Sequence, residues 1–169
     1  MLKNVQQELN RFAKYVIKQS ITNRTKGKKN SSKALYNSLD YDINVSPNSF
    51  SLSFLMEDYG VFQDKGVSGI KKKYNTPYSY TNKMPPPSKM DKWLVRKGLK
   101  GVRGKDGKFI SRKSLQFMIA RSIYNNGIKP SLFFTKPFKK AFTNLDKDII
   151  KAYQLDVEEL LKFTTNGNN

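Results

Sequence analysis

Residues 111–141 set the tightest limits on how this chain can fold, because they hold two helices with legible ends and a rigid aromatic joint between them. Ser111 is an N-cap residue, Leu115, Ile119, Ser122 and Ile123 fall on one face at helical spacing, and Gly127 stands where a left-handed C-terminal residue is wanted. Pro130 then forbids continuation. After Leu132, Phe133 and Phe134, Thr135 caps a second helix with Pro137 in its first turn. Phe138, Ala141, Phe142, Leu145 and Ile149 extend one apolar stripe along it. This helix pair is expected to be the spine of the fold.

The remaining elements are read around it. Leu2, Val5, Leu9, Phe12 and Val16 recur three and four apart, which predicts an amphipathic helix over residues 2–21. It is read as a core helix, with an arm docking on a neighbouring subunit as the variant. Residues 22–33 are polar, basic and aperiodic and read as a loop, and Ser32 opens a short helix with Leu35 and Leu39 four apart. Alternation in 41–45 and 50–54 around Pro47, Asn48 and Ser49 predicts a β-hairpin with Phe50, Leu52 and Phe54 on one face. Tyr59 and Phe62 suggest one helical turn, closed by Gly66. Residues 70–87, with Lys71, Lys72, Lys73, Tyr78, Tyr80 and three consecutive prolines, read as an extended excursion that orders against a partner. Ser88 caps a short helix carrying Trp93 and Leu94 and ending at Gly98, and Asp106 and Gly107 turn a small hairpin. Asp156 and Glu159 suggest the start of a separate last helix, and residues 164–169 a frayed tail.

The sum is an α+β fold: a small antiparallel, hairpin-based sheet packed against amphipathic helices, with an N-terminal helix and long assembly loops. The 169 residues fit a single domain, 1–169, with a helical arm at 1–21 and an inserted loop-helix-hairpin region at 66–110.

Composition narrows function. The chain has 32 Lys and Arg against 13 Asp and Glu, so it attracts polyanions at low salt whatever its role. Most of the basic residues are Lys, a hydrated point charge, and Arg's planar fork for base readout is scarce. Cysteine and histidine are both absent, which removes disulfides, thiolate nucleophiles, the commonest metal ligands and the usual proton shuttle at neutral pH. No apolar run is long enough to span a bilayer, and Glu8 and Arg11 interrupt the N-terminal stripe where a signal peptide needs an unbroken one. Residence on the cytoplasmic side with no membrane partner is therefore expected.

Motifs for chemistry are weak. Gly98, Gly101, Gly104 and Gly107 satisfy no P-loop register, and the two KH-like glycine loops they form fall outside a βααβ unit. The acidic pairs lack EF-hand spacing, and those at Asp146 and Glu158 read as helix-end charges. No catalytic, cofactor-binding or metal-binding residues are proposed by this pattern, and the chain is not read as an enzyme.

Several landmarks stand in an order that resembles the neck and tail-completion proteins of tailed bacteriophages. They are Thr25 and Gly27; then Leu35, Ser38 and Leu39; the hairpin; Tyr59, Phe62 and Gly66; and a closing motif of Gly127, Lys129, Pro130, Phe133, Phe134, Pro137, Phe138 and Ala141. Two departures stand out, extra residues between Gly27 and Leu35 and a long span from Gly66 to Gly127. The resemblance implies a structural virion protein at the neck, assembled in the bacterial cytoplasm. It implies a ring of identical subunits whose partners are the portal or adjacent connector proteins and tail proteins, with non-specific DNA contact. Lys71, Lys72, Lys73, Tyr78 and Tyr80 are the expected partner contacts. The alternative is a nucleic-acid-binding protein without sequence-specific readout, using those residues with Arg103 and Lys105.

Overall fold

The computed structural model describes residues 2–27, 33–46, 49–99 and 102–166, with side chains as far as Phe163. The expectations placed on Ser32, on the Pro47 and Asn48 turn, on Gly101 and on the last three residues lie outside that set. The fold is α+β, with six α-helices and a two-stranded antiparallel sheet among the described residues. The chain divides into two compact units, and the boundary cuts the expected spine. A helical unit comprises residues 1–27, 35–57 and 133–169, and a basic unit comprises 28–34 and 58–132.

The helical unit is built on α1 (Lys3–Lys26) and α6 (Thr135–Asn166), which run antiparallel. Phe12 meets Phe138 at one end of the pair, and Val5 meets Asp156 at the other. Val5, Leu9, Phe12, Ala13 and Val16 are buried on one side of α1, as their spacing demands. The strands β1 (Asp40–Ser46) and β2 (Ser49–Leu55) pair with Tyr41 opposite Phe54 and Ile43 opposite Leu52. That register puts Tyr41, Ile43, Val45, Phe50, Leu52 and Phe54 on one face and Leu55 on the other. Ile43, Val45 and Leu52 pack on Val5, Leu9 and Ala152. Phe54 joins Phe12, Phe134 and Phe138 in an edge-to-face cluster with centroids 5.1–6.1 Å apart.

Three boundaries in this unit differ from the sequence reading. First, α1 continues through residues 22–26, where a loop was expected. No Gly or Pro interrupts it before Gly27, and Thr22 and Thr25 satisfy their hydroxyls on carbonyls one turn back. The polar end is held by tertiary contacts: Asn23 Nδ2 donates to the Phe133 carbonyl at 3.2 Å, and the Arg24 guanidinium lies 4.9 Å from the Phe133 ring centroid. Second, no separate helix starts at Asp156, because α6 runs on as one helix of 32 residues. The Asp156 carboxylate instead accepts the backbone N–H groups of Asn4 and Val5 at 2.9 and 3.0 Å, capping α1, whose own Leu2 has no side chain to offer. Burial opposes that charge, but these hydrogen bonds outweigh it and hold the Asp156 carboxyl below its ordinary pKa. Third, the N-terminal helix is no free arm, since its apolar face is covered by α6 and the hairpin of its own chain.

The basic unit opens with α3 (Gly60–Lys65) and closes with α5 (Arg112–Asn126). Ser111 caps α5 by accepting the Ser114 N–H at 3.1 Å, and Gly127 ends it at φ +69°. The buried side of α5 centres on Ala120, and Ser122 is exposed, so the apolar face is turned slightly from the one the spacing suggested. The short helix after the prolines does not use Ser88 as a cap. Pro87 opens a 3-10 turn, Pro87–Met90, that leads directly into α4 (Asp91–Arg96). Asp91 is then free to bind α5, taking Arg112 Nε and Nη2 at 2.6 and 2.7 Å. That ion pair lowers the Asp91 pKa, and Gln116 adds a further hydrogen bond. Asp106 and Gly107 do turn a small hairpin, bridging Arg103 and Phe109.

Candidate assembly surface

The residues singled out by the resemblance fall into two groups. In the helical unit, Phe133 is buried with Leu35 and Leu39 in one cluster that Phe134 and Met56 flank. Phe138 and Phe134 stack at 5.9 Å, and Pro137 occupies the first turn of α6. In the basic unit, Val67 and Ile128 exchange backbone hydrogen bonds at 2.8 and 2.9 Å, bringing Gly66 and Gly69 against the end of α5. A Cβ on Gly66 would stand 2.6 Å from Pro130 Cδ, and one on Gly127 would run into the Val67 carbonyl. Both glycines also hold positive φ, so the close approach and the backbone conformation each require them. Landmarks some sixty residues apart in sequence are therefore in contact.

The basic excursion is ordered by its own chain. Ser68 N–H donates to the Tyr78 carbonyl and Tyr80 N–H to the Ser68 carbonyl, both at 2.8 Å. Ser68 Oγ donates to the Tyr74 carbonyl and accepts the Tyr74 N–H, and Thr76 Oγ1 donates to the Gly66 carbonyl. The Lys71 and Lys72 N–H groups both reach the Asn125 carbonyl, at 2.9 and 3.2 Å. Within the chain, Ser68 and Thr76 supply hydrogen bonds that regular structure would otherwise provide. Lys71, Lys72 and Lys73 remain exposed on it.

The two tyrosines expected to meet a partner are half-buried. Tyr78 sits edge-on to Phe62 with centroids 4.7 Å apart, and Tyr80 lies 6.2 Å from Tyr124. Burial pushes the Tyr80 phenol above its ordinary pKa. Phe62, Tyr78 and Tyr80, with Tyr59, Val67 and Ile128, line an open cavity of about 630 Å³. Arg103 donates to the Gly107 carbonyl at 2.9 Å with its guanidinium over Phe109 at 4.2 Å, and both Arg103 and Lys105 are exposed.

Charge is divided unequally. The basic unit has 20 Lys and Arg against 4 Asp and Glu, and the helical unit 12 against 9. Exposed apolar side chains occur in both units. Phe142, Ile150 and Tyr153 on α6 are 47–58% exposed, and Phe117 and Met118 on α5 are 48% and 54% exposed. Sequence reasoning missed the α6 surface by placing Phe142 on the inward stripe with Leu145 and Ile149, whereas Phe142 is 47% exposed. A helical projection of residues 142–157 as one element exposes it, since the residues recur at three and four. Among the described residues no group of three acidic side chains is placed to hold a metal ion, and no helix is long and apolar enough to cross a membrane. Searches of family models, curated proteins and solved structures find no match to this chain.

Proposed function

We propose that this protein is a structural subunit of the head-to-tail connector of a tailed bacteriophage, acting by assembly into a ring with copies of itself between portal and tail. The observation that carries this reading is the convergence of the motif residues. Leu35 and Leu39 share a buried cluster with Phe133, and Gly66 packs at Pro130. Residues that resemble a family motif only in their order thus also form the contacts that hold each unit. The exposed apolar faces of α5 and α6 supply surface for neighbours, as an assembling subunit needs.

The test is composition. In tailed particles purified from cells that produce the chain, quantitative mass spectrometry should find it in a fixed ratio to the portal protein. Its absence from such particles would contradict the proposal.

A second reading, nucleic-acid binding without base readout, draws support from the charge of the basic unit. It works through the exposed lysines and arginines of that unit, with Tyr78 and Tyr80 engaged by Phe62 and Tyr124. Its signature is binding to DNA of any sequence that fades as salt rises.

A further inference from the structure

The helix α6 carries two apolar stripes. Leu145, Ile149 and Ala152, continued by Asp156, face inward, and Ala152, Ile149 and Asp156 meet the first turns of α1. The other stripe, Phe142, Ile150, Tyr153 and Val157, lies to one side of the first and mostly in water. The spacing 142, 146, 150, 153, 157 is that of one helix face, so the exposed Asp146 lies within this outer stripe. Lys147 and Lys151 lie further round. Residues 142–159 of α6 hold five acids against two lysines, an acidic stretch in a chain with a formal charge of +19.

The helix α5 shows the counterpart. Its buried side carries Ala120, and its opposite side exposes Phe117 and Met118 together with Ser114 and Arg121, with Lys113 at the edge. Phe117 and Arg121 are four apart and adjacent on the helix surface. An apolar seam bearing a carboxylate on one helix is thus matched by an apolar seam bearing cations on the other.

We propose that the outer stripe of α6 docks on the exposed face of α5 in a second copy of this chain, with Asp146 set against Arg121. Charge selects this occupant. An α6 stripe facing itself across a two-fold axis at Asp146 would bring that carboxylate against its own copy, and an α5 face meeting itself across an axis at Arg121 would oppose Arg121 to Arg121. Nucleic acid would suit α5 but be repelled by the acids of α6. A second copy supplies both complements. Passed from copy to copy, α6 of each on α5 of the next, the contact is heterologous, the kind that generates rings or filaments; exchanged within one pair, it closes a two-fold dimer. The inference deepens the connector reading and rests on its self-assembly, for which it supplies the contact.

The test uses the full chain, nuclease-treated, in sedimentation velocity over a concentration series at moderate salt. Asp146→Arg and Arg121→Glu are both surface changes, and circular dichroism confirms that each variant folds. Each alone should weaken self-association about tenfold or more, and an equimolar mixture of the two variants should recover it, since each then meets its swapped partner. Tyr153→Ser and Phe117→Ser should each weaken it as well, removing the apolar part without touching charge. The proposal is overturned if both charge variants associate like the parent, or if the mixture fails to recover. It is equally overturned if Asp146→Arg disrupts and Arg121→Glu does not, the result of an α6 pair across a two-fold axis. Failure here with the chain still present in tailed particles would remove this contact and leave the connector reading. Recovery by the mixture with the chain absent from particles would do the reverse.

Discussion

The two units of this chain solve the problem of stability differently. The helical unit is near charge balance and holds itself by burial, with Val5, Ala13 and Val16 fully enclosed and a cluster of four phenylalanines in edge and stacked contacts. The basic unit has few fully buried apolar side chains, Val67, Leu94 and Ala120 among the described residues. It relies on backbone pairing: the Val67–Ile128 exchange, the Ser68 and Thr76 hydroxyls, and glycines that let two segments approach. Twenty cations on one small unit repel one another, and a hydrogen-bonded loop frame tolerates that repulsion while leaving the lysines outward. One unit is thus held mainly by apolar burial and the other mainly by backbone pairing, and the second carries most of the positive charge.

Substitutions can break this contrast in graded steps. The largest loss is expected from Phe12→Ala, which removes a ring 7% exposed and packed on Phe54 and Phe138; about 3–5 kcal/mol should be lost, read by denaturant unfolding followed by helical circular dichroism. Gly127→Ala should cost roughly 2–3 kcal/mol, since the new Cβ meets the Val67 carbonyl and φ is +69°. Its mark should be local, with faster hydrogen exchange at the Val67 and Ile128 amides and little change in α1.

Asp156→Ala should cost about 1 kcal/mol, the usual worth of a lost cap, and shows as a lowered melting temperature. The same carboxylate makes the helical unit sensitive to acid. Its pKa is lower folded than unfolded, so its stabilisation is complete above the unfolded value and is lost as pH falls through the folded one. Melting temperature should therefore drop below about pH 4 in the parent, and less steeply in Asp156→Asn. The smallest effect on stability belongs to replacement of Lys71, Lys72 and Lys73 together by Ala. All three are exposed, Lys71 and Lys72 hold the loop through main-chain groups, and the Lys72 ammonium adds only a long approach to the Tyr74 ring at 5.8 Å, so the change should stay within about 0.5 kcal/mol. It should still lower the salt dependence of DNA binding, a readout of the basic unit alone.

What could be read in advance follows from how local each signal is. The hairpin was legible because alternation fixes which residues share a face, and Tyr41 does stand opposite Phe54. Ser111 and Gly127 were legible because caps and positive φ are properties of a few adjacent residues. The continuation of α1 through Arg24 was not, since a polar run was made helical by contacts with Phe133, over a hundred residues away. Asp156 has the sequence context of a cap for its own helix but caps another, a choice only the α1–α6 pairing decides. The division of the spine at Leu132, a non-glycine residue at φ +51°, has no signature in composition. Of the candidate contact residues, the lysines are outward as expected. Tyr78 and Tyr80 are drawn inward because Phe62 and Tyr124, remote in sequence, supply them with aromatic neighbours.

Self-assembly is the claim on which the account turns, and sedimentation velocity of the nuclease-treated parent chain at moderate salt tests it most directly. The account predicts discrete oligomers that grow with concentration and appear as rings or short arcs by negative stain. A single monomer boundary across the whole concentration range would contradict it.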